Sequence, residues 1–152
     1  MSMRYHVESA GGVASRTSVG GHELIFDQPE KFGGQDRGPS PLEVLVASTG
    51  ACAHYYAAAF LVARRLPTDG LSVDIVADKS SERPQRVTHM HLTVHLPPGV
   101  PEELLPRLEA AVRACPAHNT MSGCVAFDID LLAGSEPSAE VRSASVSAAP
   151  AS

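Results

Sequence analysis

The most constraining feature of this sequence is the segment 41–66, which is apolar or small on nearly every side. Ser40 is a typical helix N-cap, Pro41 suits the first helical position, and Glu43 completes a capping box three residues after the cap. Pro67 ends the helix that these signals predict. Such a helix has to be covered all round, and a sheet covers one side only. The pattern therefore predicts a second helix or a second chain against the other sides, which favours a dimer.

Charge and composition narrow the classes of partner. The chain carries 12 Lys and Arg against 17 Asp and Glu, a formal net charge of −5, without any basic block, so we expect no nucleic-acid partner. Polar residues interrupt the apolar stretch, which makes it a poor membrane span, so we expect no membrane partner. The first residues contain no apolar signal core, which favours a cytoplasmic location.

The remaining segments predict an α+β domain with antiparallel sheet. Glycine pairs separate the first three short strands, as hairpin turns require. Met90, Leu92, Val94 and Leu96 alternate with polar residues, so their face of the fifth strand is expected in the core. The predicted strands are 3–8, 13–19, 22–27, 71–79, 86–96 and 124–132, with a loop over 28–39, the long first helix after it, and an amphipathic second helix over 101–115.

Thiol chemistry is the sharpest functional hypothesis from the residues themselves. Cys52 lies among small residues in the first helix, and Cys115 ends the second helix, where Pro116 turns the chain away. If the helices pack together, the two thiols could approach to disulfide distance. Two buried cysteines without redox chemistry are the alternative, since free cysteine is often buried. No nucleotide-binding or serine-hydrolase motif competes with this hypothesis.

A histidine stripe is the rival site. His89, His91 and His95 share one face of a strand, and imidazoles placed in this way can bind zinc, copper or iron. No accompanying carboxylate or cysteine motif completes such a site. A solvated strand face is therefore the preferred interpretation, and we expect neither a metal nor a cofactor.

Two segments carry a resemblance to a known family. The segment GPSPLEVLVASTGAC at 38–52 and the segment AAVRACPAH at 110–118 resemble the two cysteine motifs of the OsmC/Ohr family of thiol-dependent hydroperoxide reductases. The likeness extends from the hairpin at 18–29 to Leu132. It implies an OsmC-like domain over 1–133, and the Ser/Ala/Pro-rich segment 134–152 is expected to be a disordered tail.

The resemblance implies an intertwined homodimer with the first helices buried centrally. It also implies that Cys52 is the peroxidatic thiolate, which becomes a sulfenic acid, and that Cys115 is the resolving thiol that forms the disulfide. An external dithiol, in this family often a lipoylated protein, would reduce that disulfide. The apolar surroundings favour an organic hydroperoxide as substrate. The alternative is a dimeric small-molecule-binding protein of the same fold without peroxidase activity.

The resemblance further implies that Glu43 holds an arginine near the peroxidatic sulfur, where the guanidinium favours thiolate over thiol. The capping box alone would also explain Glu43. Arg16, on an N-terminal strand, and Arg37, just before the first helix, are the two candidates for that arginine. Cys124 matches no family motif and is expected to be a strand residue.

Overall fold

A computed structural model describes residues 2–123 and has the α+β class that the sequence predicts, with antiparallel sheets and three helices. The chain divides into two compact units, with a boundary along the described sequence between Glu43 and Val44. The predicted strand 124–132, with Cys124, and the predicted tail 134–152 lie outside the described residues. The domain boundary at residue 133 therefore stays a prediction.

The N-terminal unit contains the expected antiparallel meander. Strands β1 (Val7–Ser9), β2 (Ser15–Val19) and β3 (His22–Phe26) pair in that order. Gly20 and Gly21 have φ values of 57° and 80°, the left-handed conformation that a two-residue hairpin turn requires.

The loop that follows β3 is organised around the carboxylate of Asp27, which is 2% exposed. The amide N–H of Gln28 donates to its Oδ1 at 2.8 Å, and those of Gln35 and Arg37 donate to its Oδ2 at 3.1 and 3.2 Å. A Cβ atom at Gly34 would overlap the carbonyl oxygen of Gln28, so only glycine fits that turn. The loop is thus a folded element that fixes the approach to the first helix.

Helix α1 (Pro41–Val62) begins where the capping box predicts and ends earlier than Pro67. Arg65 adopts a left-handed φ of 56°, and the N–H of Leu66 donates to the carbonyl of Leu61 at 3.0 Å. This closure satisfies carbonyls of the last turn and reverses the chain before the proline is reached. By length and composition α1 could cross a membrane, a test that the core helix of a soluble protein also passes.

The second unit continues with an antiparallel hairpin and two short helices. Strand β4 (Ser72–Lys79) pairs with β5 (Val87–His95), and helices α2 (Leu105–Arg113) and α3 (Pro116–Ser122) follow. The helix predicted over 101–115 corresponds to α2, and α3 is a further helix that was not predicted, since Pro116 both ends the first and suits the first position of the next. A core of five buried residues joins α1 to α2 and to the segment before β4; it comprises Ala57, Phe60, Leu61, Leu71 and Leu108.

The Asp27 cluster makes the first unit sensitive to acid. The N–H donated by Gln28, followed by those of Arg37 and Gln35, lowers the pKa of Asp27 below its usual value despite burial. Its contribution to the free energy of unfolding is therefore present above the ordinary carboxyl pKa, about 3.9, and is lost as the pH falls through the lowered folded pKa.

We expect Asp27→Asn to be less stable than the unsubstituted protein at neutral pH and the difference to shrink on acidification below about pH 4. Denaturant unfolding at a series of pH values measures it. Asp36→Asn is the matched control in the same loop, where Asn tolerates the left-handed φ of 54°. A stability difference for Asp27→Asn that stays constant into acid would contradict this account of the loop.

Candidate active site

Helix α1 places Cys52 at the border of its buried face. Thr49 and Ala53 on either side are 4% and 2% exposed, whereas Cys52 itself is half-buried. Gly50, two residues before, lies against Ile75 of β4, where an added Cβ would come within 3.4 Å of a methyl group. The small residues around Cys52 thus let α1 approach its neighbours closely while Cys52 stays half-buried.

The turn between α2 and α3 places Cys115. Pro116 cannot continue α2, so Cys115 takes a non-helical conformation, with φ −55° and ψ 128°, and serves as the N-cap position of α3. Its side chain is turned inward and is 1% exposed. The Cys-Pro pair therefore buries a thiol at a helix junction.

The two thiols lie together. The Cys115 side chain and the backbone N–H of Ala117 both lie near enough to the Cys52 thiol to change its pKa. Burial is the main cause that raises the pKa of Cys52, the Cys115 thiol raises it further, and the N–H of Ala117 opposes both. The surroundings of Cys52 within residues 44–123 therefore favour the protonated thiol.

A cavity of about 690 Å³ opens beside these residues. It is bounded by β5, α2 and α3, and Thr49, Ala53 and Cys115 are part of its wall. Its apolar lining includes Met90, Leu92, Leu105, Leu108, Val112 and Met121. The sequence predicted several of these side chains as core, because periodicity identifies an apolar face but not whether another element fills the space in front of it. A cavity of this size and polarity can hold a small organic molecule.

Glu43 occupies the position that the capping box predicts. Its Oε2 accepts hydrogen bonds from the backbone N–H of Ser40 at 2.9 Å and from the Ser40 hydroxyl at 2.6 Å. Glu43 therefore stabilises the start of α1, and its predicted role toward an arginine stays a prediction.

The two candidate arginines are held in different ways within the first unit. The Nε of Arg16 donates to Glu8 Oε1 at 2.7 Å, an ion pair that raises the pKa of the guanidinium. The Nη1 of Arg37 donates to the neutral carbonyl of Ala10 at 2.7 Å. Glu8 thus offsets the charge of Arg16 directly, whereas the charge of Arg37 acts on the nearby carboxylate of Asp27 and helps to lower its pKa.

The histidine stripe lies on the exposed face of the β4–β5 hairpin. His95 Nε2 is 2.8 Å from Asp74 Oδ2, His89 Nδ1 is 3.6 Å from Asp78 Oδ2, and the His89 and His91 rings stack at 6.5 Å between centroids. Within residues 2–123 no three His, Cys, Asp or Glu side chains are grouped to hold a metal ion. The stripe pairs across the strands with carboxylates, as a solvated face does.

A second apolar face of α1 carries Cys52. Leu45, Tyr55 and Val62 on this face are 43%, 65% and 63% exposed. The face repeats at spacings of three and four residues, the seam of a helix that packs against another helix. Its members are Leu45, Ser48, Cys52, Tyr55, Ala59 and Val62. Cys52 thus stands on a surface that the described part of the chain leaves largely uncovered.

Sequence reasoning missed two groups of this site. The N–H of Ala117 belongs to α3, which was not predicted as a separate helix. The side chain of Asn119 donates to the carbonyls of Arg113 and Cys115, at 3.2 and 3.0 Å, and so spans the turn that carries the thiol. The Cys-Pro dipeptide, with proline suited to a first helical position, is the signal that could have indicated both.

Comparison with known proteins agrees with the predicted resemblance. The family model for OsmC-like protein matches residues 33–130. No curated protein sequence matches the chain significantly.

Solved structures share the fold. An osmotic stress induced and detoxification response protein from Psychrobacter arcticus has a TM-score of 0.69 at 16% identity, over 79% of this chain and 88% of its own. An organic hydroperoxide resistance protein OsmC from Legionella pneumophila has a TM-score of 0.60 at 16% identity, over 81% and 90%. An organic hydroperoxide resistance protein from Vibrio cholerae, with captopril bound in one active site, has a TM-score of 0.59 at 16% identity, over 81% and 87%.

Proposed function

This chain belongs to the OsmC-like protein family, and on that premise we propose that it is a thiol-dependent peroxidase that reduces organic hydroperoxides. The observation that carries the proposal is the pairing of the Cys52 and Cys115 thiols. Membership of the family alone would not distinguish an active enzyme from an inactive relative. Two neighbouring thiols, one of them in the wall of a largely apolar cavity, are what a two-cysteine peroxide reductase requires.

The proposed reaction has three steps. The Cys52 thiolate attacks the terminal oxygen of the hydroperoxide, the O–O bond breaks, the alcohol leaves with a proton, and Cys52 becomes a sulfenic acid. The Cys115 thiol then attacks the sulfenic sulfur, which forms the disulfide and releases water. An external dithiol, such as a lipoyl group, restores both thiols by two exchange reactions and is itself oxidised to a disulfide.

A cation has to support the first step. Burial raises the pKa of Cys52, and one backbone N–H offsets this only in part. We infer that a guanidinium supplies the rest and keep Arg16 and Arg37 as the candidates. Each of them has a carboxylate near it in the first unit, Glu8 for Arg16 and Asp27 for Arg37, so the contacts there do not prefer one over the other. Glu43 would orient that arginine in addition to capping α1.

The uncovered face of α1 supports a homodimer. A helix with two apolar faces forgoes the favourable free energy of burial while one of them stays in water. The spacing of the second face suits a helix partner. A second copy of the chain presents the same face and satisfies both copies at once. We infer that the dimer encloses Cys52 and limits its access to water.

The redox pair is tested by intact-mass analysis of the reduced full chain after one equivalent of cumene hydroperoxide. We expect a loss of two hydrogens that maps to Cys52 and Cys115. Cys115→Ser should instead hold Cys52 as a sulfenic acid that dimedone traps, and Cys52→Ser should consume no peroxide. Cys124→Ser is the matched control and should behave as the unsubstituted protein. Retained hydroperoxide turnover in Cys52→Ser would contradict the proposal.

The arginine is identified by the pH dependence of Cys52 alkylation in a Cys115→Ser, Cys124→Ser background. Removing the supporting cation by Arg37→Gln or Arg16→Gln should raise the pKa of Cys52 and leave about tenfold less thiolate at neutral pH. The matched Arg→Lys variants keep the charge and should retain more of the thiolate. Unchanged pH profiles in both glutamine variants would place the cation elsewhere.

The dimer is tested by light scattering during gel filtration. We expect the unsubstituted protein to be dimeric and Tyr55→Glu, in the centre of the second face of α1, to be monomeric, because an ionised carboxylate there would be desolvated without a partner. Val76→Glu, on the outward face of β4 and 62% exposed, is the matched control and should stay dimeric. A monomeric unsubstituted protein would contradict the proposal.

The second candidate function is a family fold that binds a small organic molecule without peroxidase chemistry. The raised pKa of Cys52 favours it, because a thiol that stays protonated at neutral pH is a poor nucleophile. Slow alkylation of Cys52 in the folded protein, together with no disulfide after peroxide, would select this candidate.

A further inference from the structure

The turn between α2 and α3 presents two groups to Cys52 at once. The Cys115 thiol and the Ala117 N–H are two residues apart, and both act on the same sulfur. Any movement of this turn therefore displaces the resolving thiol relative to Cys52. What fixes the turn determines whether the second thiol is in position when a sulfenic acid forms.

Several backbone carbonyls at this turn lack the hydrogen-bond donors that a continuous helix would supply. Pro116 has no N–H, and α2 ends at Arg113, so the last carbonyls of α2 lack the donors that a continued helix would provide. The N–H groups of Ala114 and Cys115 satisfy the carbonyls of Ala110, Ala111 and Val112. The carbonyl of Arg113 is left to donors from α3.

Asn119 supplies the main brace. Its side-chain Nδ2 donates to the carbonyl of Arg113 at 3.2 Å and to the carbonyl of Cys115 at 3.0 Å. Its backbone N–H also donates to the Cys115 carbonyl at 3.0 Å, as the first hydrogen bond of α3. His118 Nδ1 lies 3.1 Å from the Arg113 carbonyl and adds a donor there in the Nδ1–H tautomer. One amide side chain thus ties both ends of the thiol-bearing turn together.

We propose that Asn119 is a positioning residue for Cys115, whose bridge from the Arg113 carbonyl to the Cys115 carbonyl holds the resolving thiol against Cys52 for disulfide closure. This inference rests on the proposed peroxidase function. Asn119 touches neither peroxide nor sulfur in the proposed steps. Its effect falls on the second step, in which the Cys115 thiol attacks the Cys52 sulfenic acid, the S–S bond forms and water leaves.

The chemistry of that step makes it sensitive to small displacements. An intramolecular attack owes much of its rate to the reacting atoms being held at near contact distance, and a displacement of about 1 Å can cost up to roughly a hundredfold. Cys115 is 1% exposed, so it cannot recover a lost position by moving freely through solvent. Loss of the Asn119 bridge should therefore slow closure without removing either thiol.

The test measures how the Cys52 sulfenic acid divides between two fates. The reduced full chain, with Cys124 changed to Ser, receives one equivalent of cumene hydroperoxide in the presence of dimedone, and mass spectrometry gives the ratio of Cys52–dimedone adduct to Cys52–Cys115 disulfide. We expect Asn119→Ala to shift this ratio about tenfold toward the adduct. Asn119→Asp keeps the shape of the side chain but replaces the donor with an acceptor, and should shift the ratio at least as far.

Two controls separate positioning from general damage. Thr120→Ala alters the neighbouring exposed residue of α3, whose hydroxyl takes no part in the bridge, and should leave the ratio unchanged. Asn119→Ser, with one hydroxyl donor, should give an intermediate ratio. Thermal unfolding of each variant shows that it is folded.

An unchanged ratio in folded Asn119→Ala and Asn119→Asp would overturn the role of Asn119 while leaving the peroxidase proposal intact. An equal shift in Thr120→Ala would overturn it as well, since the effect would then belong to α3 as a whole. If neither adduct nor disulfide forms in any variant, Cys115→Ser included, the peroxidase proposal itself fails, and the inference about Asn119 fails with it.

Discussion

The structure depends on how one apolar helix is buried. Helix α1 offers two apolar faces, and the core around Ala57, Phe60 and Leu61 covers one of them. The β4–β5 hairpin and α2 supply most of that cover, and Gly50 lets the hairpin approach closely. Cys52 lies where the covered face meets the uncovered one. Its burial, its neighbours and its proposed access to substrate all follow from that position.

Burial and reactivity oppose each other at this site. An apolar setting excludes water and suits an organic substrate, but it also disfavours the thiolate that has to attack. The chain offsets this with one backbone N–H from α3, which is a partial charge only. The proposed reaction therefore needs a full positive charge in addition, which is why the placement of an arginine decides between an active peroxidase and an inactive relative.

Sequence periodicity predicted the elements well where one local signal determined them. The capping box at Ser40 and Glu43 marked the start of α1, and glycine pairs marked the N-terminal hairpin. The end of α1 was missed because a left-handed Arg65, which no local rule requires, closes the helix before Pro67. Helix α3 was missed because Pro116 was taken only as a terminator, although proline starts helices as readily as it ends them.

For the site, the sequence identified Cys52 and Cys115 as candidates but could not predict that they are neighbours, since a separation of 63 residues along the chain does not determine their distance in space. The sequence could not predict the role of the Ala117 N–H, because every residue type except proline has a backbone N–H. Asn119 was beyond its reach for a different reason: an amide three residues past a proline has many possible partners, and only the fold shows that it spans the turn.

Pro116 also determines how many backbone N–H donors lie at the junction between α2 and α3. Since proline has no amide hydrogen, the N–H of Ala117 is the first that α3 can offer, and it is directed at Cys52. A non-proline residue at position 116 would introduce a second amide hydrogen beside the thiols, with its own demand for an acceptor. Because position 116 is proline, no amide hydrogen follows directly after Cys115. The N–H of Ala117 is therefore the one backbone donor at the start of α3 that acts on the Cys52 thiol.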